Sequence, residues 1–309
     1  MVKRIRNINQ FLKEDKALQL ILAAEASHEA QLDALLPMII NRKADTQLVC
    51  VAGPSSSGKT IFTNRLKNLL QQQGIPSLVL SMDNYFHDKE NLKKDAFGNY
   101  DFEAVDVVDV SLFRVQLNAL LEGEAVVLPH YSFHIGKKEY DKTPTVLPKD
   151  GLVFVEGIHA LNYKDVFGAE WEKGHFGIYI APQNSYVAEN EAKIEPHQVR
   201  MIRRMVRDAC YRNCSMMETL DMWDSVRNGE AKWIVPYAKN ADFQFNSSLD
   251  YELCVLKPFF ITQYEDLSAQ EKKKMGAYLD KKILEAFLTL SPQVVPQASV
   301  LHEFIPRIS

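Results

Sequence analysis

Short apolar runs alternate along this chain with stretches whose apolar residues recur at intervals of three and four. The runs "QLVCVA", "SLVLS", "VVLP", "GLVFVEG", "FGIYIA" and "DFQFN" have the length and the β-branched or aromatic content of strands. Between them, the segment after "GKT" and the segment from Val110 to Leu121 carry helical spacing. This alternation predicts an α/β domain whose sheet is mostly parallel and covered by helices on both faces.

The flanks read differently. Residues 1 to about 45, including "ALQLILAAEASHEAQLDALLPMIINRK", have helical spacing that ends in Pro and basic punctuation. "AKIEPHQVRMIRRMVRDACYRN" is predicted helical after Pro196, and "SMMETLDMWDSVRNGEAKWIVPY" continues so with a break near Gly229. "SAQEKKKMGAYLDKKILEAFLTL" reads as one amphipathic helix, followed by a proline-broken surface tail, "SPQVVPQASVLHEFIPRIS". The expected organisation is a helical extension over 1–45, a core over 46–257 and a C-terminal helix and tail over 258–309 packed on that core. No internal repeat is present.

With 309 residues, 46% of them hydrophobic, the chain can bury one large core with additions or two modest ones. A net charge of -4 argues against coating nucleic acid by bulk positive charge, so nucleic acid is not an expected partner. Any anion site must be built locally. The four cysteines, Cys50, Cys210, Cys214 and Cys254, form no CxxC pair and read as reduced thiols. The first residues lack the continuous apolar core of a signal peptide, and no run reaches about 18 apolar residues, so a cytoplasmic protein without a membrane partner is expected. The terminal helices can pair two copies into a homo-oligomer or simply cover the sheet.

"GPSSSGKT", Gly53 to Thr60, sits between a predicted strand and a predicted helix, the context in which G-x-x-x-x-G-K-[ST] forms a phosphate-binding loop. Gly53 and Gly58 let the backbone curl so that the amides of Ser55, Ser56, Ser57 and their neighbours converge on phosphate, aided by the positive end of the following helix. Lys59 is positioned to reach the β- and γ-phosphates, and the Thr60 hydroxyl to hold Mg²⁺. The expected ligands are therefore a nucleotide and Mg²⁺ on a P-loop NTPase fold with a mostly parallel five-stranded sheet; ATP is kept as the donor because "YAKNAD" has the Lys and Asn of a guanine-reading "NKxD" in the wrong order. Two carboxylates stand at ends of neighbouring predicted strands: Asp83 after "SLVLS" and Glu156 within "GLVFVEG". Each can orient or deprotonate a hydroxyl, or hold the metal; the alternative is that each caps a turn.

"GPSSSGKT", "LSMDNYF", "NYDFEAVDVVDVSLF", "LPHYSFHIGKK", "LVFVEGIHAL" and "RMIRRMVRDACYRN" occur in the order of the uridine kinase and phosphoribulokinase family, which the chain resembles from about Leu48 to Lys257. It is most similar to the uridine kinase-like branch found behind a threonyl-tRNA-synthetase-type N-terminal region; "MWDSVRNGEAKWIVPY", "ADFQFNSSLDYELCVLKP" and "SVLHEFI" carry that likeness. The resemblance implies that Asp83 is the catalytic carboxylate acting on a nucleoside 5′-hydroxyl and that Glu156 stands on the magnesium side. It implies that Tyr131 and Phe133 line the base pocket, although aromatic residues at alternate strand positions also serve as core.

Departures from the family pattern bear on the acceptor. Phe86 stands where a Tyr is usual, so a hydroxyl contact is lost or moved to Tyr85. "FEAVDVVD" replaces "FDHPDAFD", which puts Glu103 in the place of a sugar-binding Asp, with Asp101 as a rival. Gly136 takes the place of a pocket His, leaving His134 as the nearest substitute. The arginines of "RMIRRMVRD" place Arg200, Arg203 and Arg207 along one helical face with Arg204 beside it. By resemblance they belong to a lid over about 190–235 that closes on the phosphates, Arg200 and Arg203 also touching the acceptor and Arg204 and Arg207 nearer the phosphates. A solvated basic face or a nucleic-acid contact is the other reading of the same pattern. "YAKNAD" matches a segment lying beside the adenine ring in relatives, which makes Lys239 a nucleotide contact.

The expected activity is transfer of a phosphoryl group from ATP to the 5′-hydroxyl of a uridine- or cytidine-like nucleoside. Its rivals are a kinase of another small hydroxyl compound on the same scaffold, and a nucleotide-dependent regulatory or RNA-associated protein with a vestigial kinase site.

Overall fold

The computed structural model of the chain describes residues 1–92, 101–133, 135–168 and 174–307. The chain opens with a short strand β1 (Val2–Arg4), helix α1 (Ile5–Lys13) and a long helix α2 (Ala17–Asn41) that runs through Pro37. Then come β2 (Leu48–Ala52), α3 (Lys59–Gln72), β3 (Ser77–Ser81) and α4 (Val110–Leu121). A hairpin of β4 (Pro129–Ser132) and β5 (Lys137–Tyr140) precedes β6 (Leu152–Glu156), α5 (Tyr163–Val166) and β7 (His175–Ala181). The second half holds β8 (Ser185–Val187), β9 (Lys193–Ile194), α6 (Pro196–Tyr211), α7 (Met216–Asp221) and α8 (Trp223–Trp233). It closes with β10 (Phe243–Asn246), α9 (Glu252–Glu265), α10 (Ala269–Gly276) and α11 (Lys281–Glu285).

The central sheet has five parallel strands in the order β10-β7-β2-β6-β3, as the alternating pattern predicts. Its middle strands β2 and β6 are buried along their whole length, which is why "LVCVA" and "LVFVE" read as continuous apolar runs. One face packs α2 and α3 through Leu35, Ile39, Phe62 and Leu66; the other packs α4 and the 3₁₀ turn after β3 through Tyr85, Phe113 and Leu117.

"VVLP" is not a strand of this sheet. Val126 makes an isolated antiparallel bridge to Thr145, and the pairing that follows belongs to the separate β4–β5 hairpin. The 258 boundary falls inside α9, whose Pro258 does not end it, and the single helix expected near the C-terminus is two, interrupted between Gly276 and Lys281. Nor are the termini simple additions. Ile5, Ile8 and Leu20 from the N-terminus, Leu284, Leu301 and Phe304 from the C-terminus, and Val199, Ile202 and Met205 of α6 share one core cluster.

The first helix of the expected lid is packed into that shared core. Val199, Met201, Ile202, Met205 and Val206 are all buried, so α6 is a packed core helix; swinging it as a rigid lid would expose all five to water.

Candidate active site

The loop after β2 curls as its glycines demand. A side chain on Gly53 would stand 2.0 Å from the Ile180 carbonyl oxygen, and Gly58 holds φ +98, a left-handed conformation that costs other residues. Ser56 also has a positive φ, 60. Helix α3 starts directly after Gly58, so its first amides face the loop. The Lys59 ammonium is buried and donates to the carbonyls of Gly53 at 3.0 Å and Pro54 at 3.2 Å, within its own loop.

Three α6 arginines grip the loop from the far side. Arg200 donates to the Ser55 carbonyl at 3.1 Å and to Glu230 at 2.5 Å; Arg204 donates to Ser55 Oγ at 2.9 Å. Arg203 reaches the carbonyls of Ser56 and Ser57 at 3.5 and 3.4 Å and the Ser247 carbonyl at 2.7 Å, while its Nε donates to Glu252 at 2.6 Å. It is fully buried, so Arg203 is a support of the loop and not a side chain presented to substrate. Arg207 gives its Nε and one terminal nitrogen to Asp208, at 2.9 and 2.7 Å.

Asp83 lies in the 3₁₀ turn Met82–Tyr85 at the carboxyl end of β3, and Glu156 is the last residue of β6, one strand nearer the loop. Burial pushes the Glu156 carboxyl well above its ordinary range; Lys59 draws it back, and the nearby Asp83 and Glu303 carboxylates push it further up. Ser81 Oγ donates to it at 3.3 Å. Glu103 is also buried beside this group. Burial and Asp83 raise its carboxyl against the pull of Arg204 and Lys59, and its Oε2 has no hydrogen-bond partner among the described residues. Lys59 and Asp83 thus act electrostatically on both Glu103 and Glu156.

The remaining expectations divide. Tyr85 is a core residue: its hydroxyl donates to Gln116 at 2.9 Å and its ring packs edge-on against Phe113 at 5.1 Å, so it replaces no lost acceptor contact. Phe86, Tyr131 and Phe133 form one ring cluster with centroids 5.1 to 5.9 Å apart. Tyr131 is buried in it, whereas Phe133 is 47% exposed with the Arg212 guanidinium 4.7 Å over its ring. His134 lies outside the described residues. Lys239 is exposed, and its segment is drawn away from the strand ends: Asn240 donates to Leu161, and Asp242 accepts from the Gly177 amide near the start of β7. It is not placed as a nucleotide contact.

Sequence reasoning passed over two residues. His159, in "EGIHAL", is buried with neither ring nitrogen in a hydrogen bond among the described residues; the Ala104 and Glu103 backbone lies beside the ring without good geometry. Burial takes its pKa down to about 4, with Asp83 and Asp101 near enough to oppose that shift. A His three residues past a strand-end carboxylate was the available signal. Glu303, in "SVLHEFI", accepts from the Thr60 amide at 2.9 Å; nothing local in its sequence points across 243 positions to that loop.

The site fits a magnesium-bound nucleotide. Ser56 Oγ and Ser57 Oγ are buried without hydrogen-bond partners among the described residues, and phosphate oxygens are acceptors for such hydroxyls. Thr60 is exposed at the helix start, where its amide donates to Glu303. No group of three or more His, Cys, Asp or Glu among the described residues could hold a metal ion.

The phosphoribulokinase/uridine kinase family profile matches residues 48–253, from β2 into α9. The chain belongs to that family. It is 25% identical over 226 residues to a uridine kinase of Borrelia duttonii, covering 72% of this chain and 98% of the relative. It is 28% identical over 196 residues to a uridine kinase of Deinococcus deserti, covering 63% and 84%. A solved structure described as a "possible uridine kinase" from Bacillus stearothermophilus aligns with TM-score 0.47 and 19% identity, over 71% of this chain and 98% of that one. As a member of this kinase family the chain is a phosphotransferase that uses a nucleotide donor. Among the described residues no helix is long and apolar enough to cross a membrane.

Proposed function

We propose that this chain transfers the γ-phosphoryl group of ATP to the 5′-hydroxyl of a uridine- or cytidine-like nucleoside. The observation that supports the reading is that Asp83 and Glu156 stand at the carboxyl ends of the neighbouring strands β3 and β6, where the Lys59 ammonium and the Asp83 carboxylate both act on the Glu156 carboxyl. In this reading Lys59 leaves its loop carbonyls for the β- and γ-phosphate oxygens, and Ser56 and Ser57 complete the cradle. Thr60 and, through water, Asp83 or Glu156 hold Mg²⁺, which when bound neutralises charge on the transferring group. Asp83 accepts the proton of the attacking hydroxyl or fixes its direction. Glu103, His159 and Asp101 offer polar partners to a sugar, and the exposed face of Phe133 offers a surface for a base.

A kinase of a small anionic alcohol is the second reading. Burial, and then the neighbouring Arg207 guanidinium, lower the basicity of Arg204 and Arg212; all three arginines share the Asp208 carboxylate, and Arg212 senses Asp83. A screen for ADP release with nucleosides, deoxynucleosides, sugars and sugar phosphates separates the two. Turnover with a nucleoside, and 5′-monophosphate as product, supports the first; turnover only with phosphorylated alcohols supports the second. Salt-sensitive RNA retention with no turnover on any alcohol sinks both and leaves a nucleotide-dependent binding protein.

A further inference from the structure

Glu303 occupies the start of the phosphate-binding helix. Its Oε2 accepts from the Thr60 amide at 2.9 Å and the Ile61 amide at 3.3 Å, two of the first-turn donors that have no partner inside α3. Amides in this position, reinforced by the helix dipole, are what a phosphate group engages. The backbone around Glu303 is firmly held. Ser299 caps the 3₁₀ turn Val300–Glu303 and meets the Tyr251 hydroxyl at 3.2 Å. Val300 packs over Gly58, Phe304 lies under the Arg203 guanidinium at 5.0 Å, and Leu301, Phe304 and Ile305 are buried. The Glu303 side chain itself is half-buried at the surface of this anchored segment.

We propose that the Glu303 carboxylate is a built-in stand-in for phosphate, and that nucleotide must displace it from the Thr60 and Ile61 amides before the loop can close on the phosphates. The inference rests on the reading of the loop as a nucleotide site. An N–H cannot donate fully to two acceptors, and a carboxylate left beside a bound polyphosphate adds like-charge repulsion in a partly dry site. The tail stays in place; the carboxylate turns out to solvent. The resting loop is thereby kept satisfied, and its affinity for nucleotide is set below what its amides alone would provide.

The test uses the full chain and ADP without metal at fixed ionic strength, with calorimetric titration of the wild type, Glu303→Gln and Glu303→Ala. The expected result is binding about tenfold tighter for Glu303→Ala, with Glu303→Gln between it and wild type, the size of a charge-assisted hydrogen bond. The Ala variant also melts at a lower temperature than wild type without nucleotide and shows a larger rise on adding ADP. Unchanged or weaker ADP binding by both variants, with far-ultraviolet circular dichroism like wild type, overturns the proposal while leaving the kinase reading intact. Absence of ADP binding by all three proteins, wild type included, overturns both.

Discussion

Arg203 and Glu252 form an ion pair that water does not reach: the guanidinium Nε donates over 2.6 Å to a carboxylate, and both side chains are 0% exposed. The same arginine holds the carbonyls of Ser56, Ser57 and Ser247. One buried cation thus ties the phosphate loop to α9 and to the turn after β10. Removing it strands a buried carboxylate, so Arg203→Met is expected to lower the unfolding free energy by about 3–5 kcal/mol. Arg203→Lys recovers little, because an ammonium cannot reproduce the fork that serves several acceptors. Pairing Arg203→Met with Glu252→Gln restores part of the loss. Urea unfolding checks all three; a loss under about 1 kcal/mol for the single variant contradicts the structural role.

Asp83 projects from a turn at the end of β3, partly exposed, where Glu103, Glu156 and His159 all feel its charge. Replacing it by Asn keeps the shape and removes the base. Transfer to the acceptor is expected to fall on the order of 10²-fold or more while ADP binding stays within about twofold. Single-turnover kinetics beside calorimetry make the comparison, and normal transfer by the variant removes Asp83 from the chemistry.

Glu103 reaches the site because α8 offers a glycine where it passes. A side chain on Gly229 would stand 2.4 Å from Glu103 Cβ and 3.3 Å from Asp101 Oδ1, and Trp233 of the same helix donates to Asp101 at 3.3 Å. Gly229→Ala improves helix propensity yet must push Glu103 aside. The expected outcome is an acceptor KM raised about tenfold with nucleotide affinity unchanged, since the displacement lies on the acceptor side. Equal loss in both would show that Glu103 supports the phosphate loop instead.

The parts of this molecule that were legible in the sequence are those whose signal is local. "TQLVCVAGPSSSGKT" carries its strand, its glycines and its lysine within fifteen positions, and the fold repeats them in that order. The arginine face was equally visible, but not what it grips: Glu230 and Glu252 lie 30 and 49 residues from their partners Arg200 and Arg203, so its hold on the loop could not be read from the cluster. Helix α9 was missed because "ELCVLKPFFITQYE" is apolar on most sides and contains a proline, so no stripe stands out. Tyr85 and Tyr131 show the limit for aromatics, since two tyrosines in similar contexts turned out to be a core side chain and a member of the ring cluster beside the site.

His28 offers a test of how burial of a titratable group shapes stability. It lies on α2, 1% exposed, with Nε2 at 3.1 Å from the Ser248 carbonyl and its ring 5.1 Å from Phe245. Burial lowers its pKa from 6.5 to about 4, with Arg203 and Arg65 adding to the shift. The unfolded chain therefore binds a proton between those two values that the folded chain refuses, so the stability His28 supports is complete above about pH 6.5 and is lost as pH falls toward 4. Glu156, raised by burial, works in the opposite direction over part of this range, so the informative quantity is the difference between wild type and His28→Gln. Glutamine keeps an N–H for Ser248 and does not titrate. The variant is expected to be less stable than wild type at pH 7.5, and that deficit to shrink by about 2 kcal/mol at pH 5. Urea midpoints of both proteins across pH 5 to 7.5 measure it; parallel curves would mean that His28 titrates as it does in the unfolded chain.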